Sequence, residues 1–221
     1  MHGSLASNKA LLEGVLAGVK VFQGADFGVC APYPYLYQLQ SVLQGSNVGW
    51  GAQSVSQHEK GAFTGEVAPS MLVDFGCRYV IVGHSERRAL FGESDQVVAE
   101  KFDAAIKAGL TPIFCVGETL EERESGVTEQ VVARQLDAVL GHVSARDLAK
   151  AVIAYEPVWA IGTGKTATPE QAQAVHAFIR QRVAKLDVAV AQGLRILYGG
   201  SMKPGNAAEL MGMSDIDGGL I

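Results

Sequence analysis

Val152-Ile153-Ala154-Tyr155 is a continuous hydrophobic run, and Thr168-Pro169-Glu170-Gln171 follows it after a loop that contains glycines. A short run of this kind is typical of a parallel strand buried on both faces. The second stretch has a capping threonine, a glutamine three residues later and proline in the first helical position, so it predicts the start of a helix. A buried strand followed by a capped helix is the repeating unit of α/β proteins.

The same alternation of strand and helix extends along the chain. After Thr168, hydrophobic residues recur at helical spacing and predict one buried face, formed by Ala172, Val175, Phe178, Ile179 and Val183. The predicted strands are 28–31, 48–52, 79–82, 112–116, 152–155, 195–198 and 216–221. The other predicted helices are 5–19, 35–44, 69–75, 96–108, 128–140 and 204–211. No linker interrupts the pattern, so we predict one domain over residues 1–221.

Strict alternation leaves two architectures, an open doubly wound sheet or a closed (β/α)8 barrel. Seven strands are predicted, the sequence opens on a helix and it stops on a strand. One further strand at the start and one further helix at the end would make a barrel of about 250 residues, the usual length of that fold. We therefore predict an α/β protein with a (β/α)8 TIM barrel of parallel strands, incomplete at both ends.

Composition argues against several classes of function. Of the 221 residues, 48% are hydrophobic and 19% charged, and the formal net charge is −5. The chain is too hydrophobic for a disordered protein, and its slight acidity argues against nucleic acid as a partner. No segment has the roughly 18 apolar residues of a membrane span. The cysteines, Cys30, Cys77 and Cys115, are widely spaced; they predict neither a disulfide nor a metal site and fit the reducing cytoplasm.

Gly83-His84-Ser85 follows the predicted strand at 79–82. Ser85 is expected to cap the next helix, which places His84 beside the positive helix N-terminus. That position disfavours imidazolium, so a neutral His84 could donate a hydrogen bond to a carbonyl oxygen. A purely structural histidine is the alternative interpretation at this stage.

Glu156 directly follows the strand that ends at Tyr155. Barrel enzymes place their catalytic groups at the carboxyl ends of strands, and a buried carboxylate there suits a general base. The alternative is an exposed loop glutamate. The next residues combine a rigid Pro157-Val158-Trp159 entrance with small residues and glycines, a pattern that predicts a mobile lid.

The glycines of this loop also match a dinucleotide-binding fingerprint at 162–167. The predicted helix begins at Thr168, after the glycines and not among them, so the structural context of that fingerprint is missing. We therefore predict no cofactor. Gly199-Gly200-Ser201 follows another strand, and consecutive glycines there allow backbone N–H groups to approach a phosphate. An ordinary tight turn is the alternative.

Taken together, the segments 83–88, 154–165 and 198–201 resemble the triosephosphate isomerase family in sequence and in order. The resemblance extends over the whole chain. It implies a cofactor-free and metal-free isomerase of glycolysis and gluconeogenesis, which interconverts dihydroxyacetone phosphate and glyceraldehyde 3-phosphate through an enediolate. It implies that Glu156 is the base and His84 the neutral electrophile.

The same resemblance assigns the remaining site residues. Substrate phosphate would be bound by Gly162, Ser201, Gly199 and Gly200. The lid and its latch would comprise Pro157, Val158, Trp159, Ala160, Ile161, Thr163, Gly164, Lys165 and Tyr198. The segment Gln53 to Glu66 would enter a partner subunit of a homodimer, with Thr64, Gly65 and Glu66 at its end.

Two departures from the family pattern affect the expected activity. The family's first strand ends in Asn-x-Lys, and its last strand is followed by a glycine pair that binds phosphate; neither is found in the sequence. Lys9 and Lys20 lie on or after the first helix and cannot replace that lysine. Because removal of one such electrostatic group commonly lowers the rate by about 10²–10³, we expect the chain of 221 residues to be severely impaired. The alternatives are a truncated, non-catalytic barrel and another phosphosugar isomerase of the same fold.

Overall fold

The computed structural model of the chain describes residues 1–163 and 165–221. The residues form two compact units: Met1–Ile81 with Ala104–Thr111, and Val82–Asp103 with Pro112–Ile221. The single domain expected over residues 1–221 stays a prediction. No helix of the described residues is long and apolar enough to cross a membrane.

The first unit is built on three parallel strands. Its elements are α1 (Leu5–Val19), β1 (Phe27–Ala31), a 3₁₀ turn (Tyr33–Tyr35), α2 (Leu36–Leu43), β2 (Val48–Ala52), α3 (Pro69–Asp74) and β3 (Tyr79–Val82). The strand order is β1-β2-β3, with Ala31 paired with Ala52 and Gly51 paired with Tyr79. A Cβ at Gly51 would overlap the carbonyl of Tyr79, so this close strand approach requires glycine.

The core of this unit is apolar and is contributed by both helices and strands. Leu12 of α1 and Leu39 of α2 pack with Ala31, Leu43 and Val48. Helix α1 begins with a capping box, in which Ser4 and Ser7 exchange hydrogen bonds between side chain and backbone. Local capping and core packing together account for the helix predicted at 5–19.

The remaining elements lie wholly or mostly in the second unit. They are α4 (Ser85–Phe91), α5 (Asp95–Lys107), β4 (Thr111–Val116), α6 (Leu120–Glu124), α7 (Thr128–Leu140), α8 (Ala145–Leu148), β5 (Val152–Tyr155), a 3₁₀ turn (Val158–Ala160), α9 (Pro169–Ala184), α10 (Val188–Gly193), β6 (Arg195–Tyr198), α11 (Pro204–Met211) and β7 (Gly218–Gly219). The second unit also includes Val82 of β3, whereas residues 104–107 of α5 and Thr111 of β4 belong to the first unit. Parallel pairing joins β4 to β5, β5 to β6 and β6 to β7. Val116, Tyr155 and Tyr198 are aligned across three strands, so the residues that follow them lie at one edge.

Helix α9 confirms the prediction made from its first turn. Thr168 accepts a hydrogen bond from the backbone of Gln171, and the Gln171 side chain binds the backbone of Thr168 in return. Of the predicted buried face, Ala172, Val175, Ile179 and Val183 are buried. Phe178 is only half-buried, and His176, which was not predicted on this face, is buried instead. The capping chemistry and the hydrophobic period therefore agree on this helix.

The main difference from the predicted elements is the last strand. The expected strand at 216–221 is reduced to Gly218–Gly219, which pair with Leu197 and Tyr198. The N–H of Ile216 donates to the carbonyl of Met213, which places Ile216 in a turn before the ladder begins. The short helices α6, α8 and α10 were not predicted, because segments of four to six residues carry little hydrophobic periodicity.

Candidate active site

Two of the predicted site residues are in direct contact. Glu156 follows β5, and its side chain is 2% exposed. His84 follows Gly83 after β3. The Nε2 atom of His84 lies 2.9 Å from Oε1 of Glu156. The carboxylate and the imidazole, 72 positions apart in the numbering, are therefore hydrogen-bonded to each other.

Ser85 also binds Glu156, and this contact was not predicted. Its backbone N–H donates to Oε2 over 2.9 Å, and its hydroxyl donates to Oε1 over 3.3 Å. The expectation that Ser85 caps α4 is wrong. His84 is the N-cap residue, and its Nδ1 accepts the N–H of Glu86 at 3.2 Å. Because the imidazole supplies the cap, the Ser85 side chain is left to bind the carboxylate.

The hydrogen bonds around His84 indicate one neutral tautomer. Nδ1 accepts a backbone N–H and therefore carries no proton, so the proton lies on Nε2, which faces Glu156. Burial by itself lowers the pKa of His84, but the hydrogen bond and the charge of Glu156, with a smaller contribution from Glu86, raise it above its usual value of 6.5. The positive helix N-terminus thus favours the neutral imidazole, whereas the carboxylate of Glu156 favours the protonated one. A neutral His84 in the substrate complex stays a prediction.

Glycines permit close packing around Glu156. A Cβ at Gly117 would overlap the Glu156 carbonyl, and one at Gly199 would lie 3.0 Å from its Cγ. The N–H of Gly199 donates to the carbonyl of Tyr155 over 2.7 Å and so belongs to the strand ladder. Gly200 is buried, and a Cβ there would overlap the Tyr198 hydroxyl and approach Pro157. Binding of phosphate by this glycine pair stays a prediction.

The predicted lid begins in a regular turn. Pro157 precedes the 3₁₀ turn Val158–Ala160, in which Ala160 is buried. Gly162 has a positive φ of 68°, which favours glycine. The hydroxyl of Thr163 donates to the carbonyl of Trp159 over 2.8 Å and accepts the N–H of Lys165 at 3.2 Å. Ile161 is half-buried, and Gly164 lies outside the described residues.

A second buried carboxylate binds Trp159, near the start of the predicted lid. Glu118, which is fully buried, accepts three hydrogen bonds on Oε1, each 3.0 Å long. The donors are Arg123 Nη1, the Tyr155 hydroxyl and Trp159 Nε1. We call these four residues the anchor cluster. The guanidinium of Arg123 also lies over the Trp159 ring, 4.9 Å from its centroid, so the indole is held at its edge and on its face.

The sequence analysis missed Glu118, although a usable signal was present. Glu118 follows β4 by two residues, and a carboxylate just beyond a buried strand was the argument that selected Glu156. His176 adds to the surroundings of the cluster: it is fully buried, and its ring meets that of Tyr155 edge to face at 5.8 Å. Both carboxylates therefore lie in polar pockets inside otherwise apolar structure.

The other predicted site residues are placed as follows. Ser201 is half-buried, and its carbonyl accepts a hydrogen bond from Asn206 at 3.0 Å. Thr64, Gly65 and Glu66 are exposed and belong to the first compact unit. Among residues 1–163 and 165–221, no group of three His, Cys, Asp or Glu side chains could hold a metal ion.

Parallel strands that alternate with helices, and a contacting carboxylate and imidazole beyond two strand ends, are typical of α/β enzymes that perform acid–base chemistry. The family model described as Triosephosphate isomerase matches residues 1–221. A protein named triosephosphate isomerase from Thiobacillus denitrificans is 68% identical over 221 residues, which are 100% of this chain and 88% of that protein. Relatives of the same name from Dechloromonas aromatica and Nitrosomonas eutropha are 67% and 60% identical, with the same coverage of 100% and 88%.

The chain belongs to the triosephosphate isomerase family. The expected TIM-barrel fold class and isomerase activity are confirmed by this membership. The two alternatives, another phosphosugar isomerase and a non-catalytic barrel, are not favoured, since the three relatives bear the same enzyme name.

Proposed function

We propose that the protein interconverts dihydroxyacetone phosphate and glyceraldehyde 3-phosphate in glycolysis and gluconeogenesis, with Glu156 as base and His84 as electrophile. The observation that carries this proposal is the 2.9 Å contact between His84 Nε2 and Glu156 Oε1 in a chain of this family. A proton acceptor and a proton donor are thereby available within the width of one small substrate.

In the proposed reaction, Glu156 accepts a proton from one substrate carbon and returns it to the next, while His84 acts on the substrate oxygens. A Glu156 oxygen removes a proton from the carbon next to the substrate carbonyl, and the electron pair moves to the carbonyl oxygen, which gives an enediolate. The Nε2–H of His84 donates a hydrogen bond to that oxygen and stabilises its developing charge. The Nε2 proton of His84 then passes to this oxygen, and Nε2 takes up the proton of the neighbouring substrate hydroxyl, which becomes the new carbonyl. Glu156 returns its proton to the neighbouring carbon, so the isomer forms with atoms, protons and electrons balanced.

The contacts of Glu156 in this structure define what must change when substrate binds. His84 Nε2 and both Ser85 donors are directed at the carboxylate, so both of its oxygens have hydrogen-bond partners before substrate binds. For His84 to bind the substrate carbonyl, its hydrogen bond to Glu156 has to be exchanged for one to substrate. Movement of Glu156 away from Ser85 would allow a carboxylate oxygen to approach the substrate carbon in the same step.

The lid and the phosphate site complete the proposal. Phosphate is bound by Gly162, Ser201, Gly199 and Gly200, and closure of the segment 157–165 excludes water from the enediolate. Gly162 has a positive φ, a backbone conformation that other residues rarely adopt, so the glycine is required by the turn at which we place the phosphate. The Tyr198 hydroxyl lies in the space next to Gly200 and Pro157, where a latch would contact the lid.

A coupled assay with glyceraldehyde 3-phosphate tests the function. Replacement of the base in Glu156→Gln is expected to lower kcat by about 10²–10⁴, the usual contribution of a general base. Glu170→Gln, an exposed carboxylate on the first turn of α9, is the matched control and should keep the parent rate. Turnover that survives in Glu156→Gln would refute the assigned mechanism. Because the chain of 221 residues is expected to be severely impaired, the assay is run beside a version extended by the family's first strand and final glycine pair, and absence of turnover in both would refute the function.

We further propose a cytoplasmic homodimer that assembles through the segment Gln53 to Glu66. The loop is closed at its base by a 2.9 Å hydrogen bond from the N–H of Ser56 to the carbonyl of Val67. Within it, the ring of His58 stacks on that of Phe63 at 3.8 Å, which presents a preformed aromatic surface. Cys30, Cys77 and Cys115 form no disulfide with one another, which supports a reducing compartment. Sedimentation equilibrium tests the assembly, and a monomer at micromolar concentration would exclude it.

A further inference from the structure

Arg88, on α4, binds both peptide groups of His84. Its Nε donates to the carbonyl of Gly83 over 2.8 Å, and its backbone N–H donates to the carbonyl of His84 over 3.1 Å. The first carbonyl belongs to the peptide bond that enters His84, and the second belongs to the one that leaves it. One residue therefore fixes the two peptide planes from which the imidazole projects.

The guanidinium of Arg88 is itself held in place. Its Nη1 binds Oδ1 of Asp95 at 2.6 Å, and the other oxygen of Asp95 binds Arg134 Nε at 2.9 Å. Its Nη2 donates to the carbonyl of Cys115, the next-to-last residue of β4, over 3.4 Å. All three edges of the planar fork thus have an acceptor, and the Arg88 side chain is only 17% exposed.

The packing around Gly83, which precedes His84, leaves no space for a side chain. Gly83 has a φ of +73°, and a Cβ there would lie 2.7 Å from Val98 Cγ1 and 3.0 Å from Arg88 Nη2. Because glycine has little intrinsic preference in this region, its surroundings must fix the direction of its carbonyl. The Nε of Arg88 is the donor that this carbonyl receives.

We propose that Arg88 is a positioning residue, which orients the His84 imidazole toward the reacting oxygen by binding the carbonyl of Gly83. The inference rests on the proposed role of His84 as electrophile. Displacement of a reacting group by about 1 Å can lower a rate by about 10²-fold. Loss of this contact should therefore reduce catalysis although Arg88 never touches substrate.

Arg88→Lys separates positioning from charge. A lysine ammonium keeps the positive charge beside Asp95 but cannot bind Asp95, Gly83 and Cys115 at once, because it lacks the planar fork. We expect kcat to fall by about 10–100-fold, with KM changed less than about twofold, since His84 acts mainly on the transition state. Arg134→Lys is the matched control: it alters the outer, 58% exposed partner of Asp95 and should change kcat less than about twofold.

Nitrogen-15 NMR of His84 supplies a readout that does not depend on turnover. The parent protein should show a protonated Nε2 and an acceptor Nδ1, in accord with its hydrogen bonds. In Arg88→Lys, these His84 resonances should shift or broaden, whereas those of His142 and His176 should stay unchanged and report an intact fold. If this signature is present but neither the chain of 221 residues nor a version extended by the family's first strand and final glycine pair shows isomerase activity, the proposed function fails while the His84 resonances still test the positioning role.

Two results would overturn the positioning role. One is a folded Arg88→Lys protein with parent kcat; the other is a loss of kcat without any change in the His84 resonances. If Arg88→Lys does not fold, Asp95→Asn is the second variant, because it retains the bond from Arg88 to Gly83 but removes the charge that anchors it. We expect the same changes at His84, reduced in size, and unchanged His84 resonances together with unchanged kcat in Asp95→Asn would contradict the proposal.

Discussion

Two buried carboxylates in the second unit begin from similar positions and have different surroundings. Glu156 follows β5 directly, and Glu118 follows β4 by two residues; they are 2% and 0% exposed. Glu156 is bound by His84 and Ser85, which carry no permanent charge. Glu118 is bound by Arg123 and by two aromatic donors, Tyr155 and Trp159.

Burial is therefore common to the two carboxylates, and their hydrogen-bond partners are what distinguishes them. Arg123 is always charged and holds Glu118 in one geometry, so this carboxylate has a structural role. The partners of Glu156 can exchange their hydrogen bonds for others, and one of them, His84, can itself gain or lose a proton. A reactive carboxylate needs partners that can be replaced by substrate.

The histidines near these two carboxylates differ in the direction in which the pKa of each is shifted. Glu156 raises the pKa of His84 against the effect of burial. His176, beside the anchor cluster, lies next to the backbone carbonyl of Asp215 with its Nδ1 at 3.1 Å, and burial lowers its pKa to about 4. His84 is thus hydrogen-bonded to the carboxylate of Glu156, whereas His176 is kept neutral inside the fold.

The largest expected effect in this comparison is acid destabilisation through His176. Its pKa is about 4 when folded and about 6.5 when unfolded, so the unfolded chain binds the additional proton between these values. Stability is therefore fully retained above about pH 6.5 and should decrease by about 3 kcal/mol as the pH falls to about 4. Urea unfolding of the parent and His176→Asn between pH 4 and 7 measures this.

His142→Asn is the control, since His142 is exposed. This variant should keep the pH dependence of stability shown by the parent protein. In His176→Asn, the part of the stability loss between pH 7 and 4 that is due to His176 should disappear. Equal slopes in all three proteins would show that His176 does not titrate as its surroundings indicate.

A smaller effect is expected from Glu118→Gln. This change leaves Arg123 without its carboxylate and weakens the hydrogen bonds of Tyr155 and Trp159, so the free energy of unfolding should fall by about 2 kcal/mol. Chemical denaturation measures the loss, and Trp159 fluorescence should report a less ordered indole. Glu129→Gln, an exposed glutamate of α7, should change stability by less than about 0.5 kcal/mol.

Glu156→Gln removes a buried carboxylate that has no permanently charged partner. We expect this variant to lose less stability than Glu118→Gln while it loses far more activity. If the two variants lost equal stability and equal activity, the distinction between a reactive and an anchoring carboxylate would not hold.

The smallest expected effect is on the titration of His84. Because the hydrogen bond and the charge of Glu156 raise the pKa of His84, Glu156→Gln should lower that pKa. The contribution of His84 to stability has the opposite sign to that of His176: it is present below pH 6.5 and is lost as the pH rises through the folded pKa. An NMR titration in which the His84 pKa is unchanged or higher would contradict this assignment.

Much of the fold could be predicted from local sequence. Strands β2, β3, β5 and β6 and helices α1, α7 and α11 have the predicted bounds, since each combines a hydrophobic period with a clear start or stop. Strand β7 could not be predicted, because its length depends on how many residues find a partner on β6. His84 and Glu156 were predicted from their types and their places beyond strands, and the structure brings them into contact; their catalytic roles stay predictions.

The sequence by itself determined where buried strands and capped helices alternate, because these signals are contained within a few neighbouring residues. It also marked Glu156 and His84 as candidate catalytic residues, which stays a prediction. The folded structure was needed to show that Ser85, 71 residues from Glu156, donates twice to that carboxylate. The same is true of the hydrogen bonds from Trp159 to Glu118 and from Arg88 to the carbonyl of Gly83. Such contacts depend on strand register and on the three-dimensional direction of hydrogen bonds, which no local pattern contains.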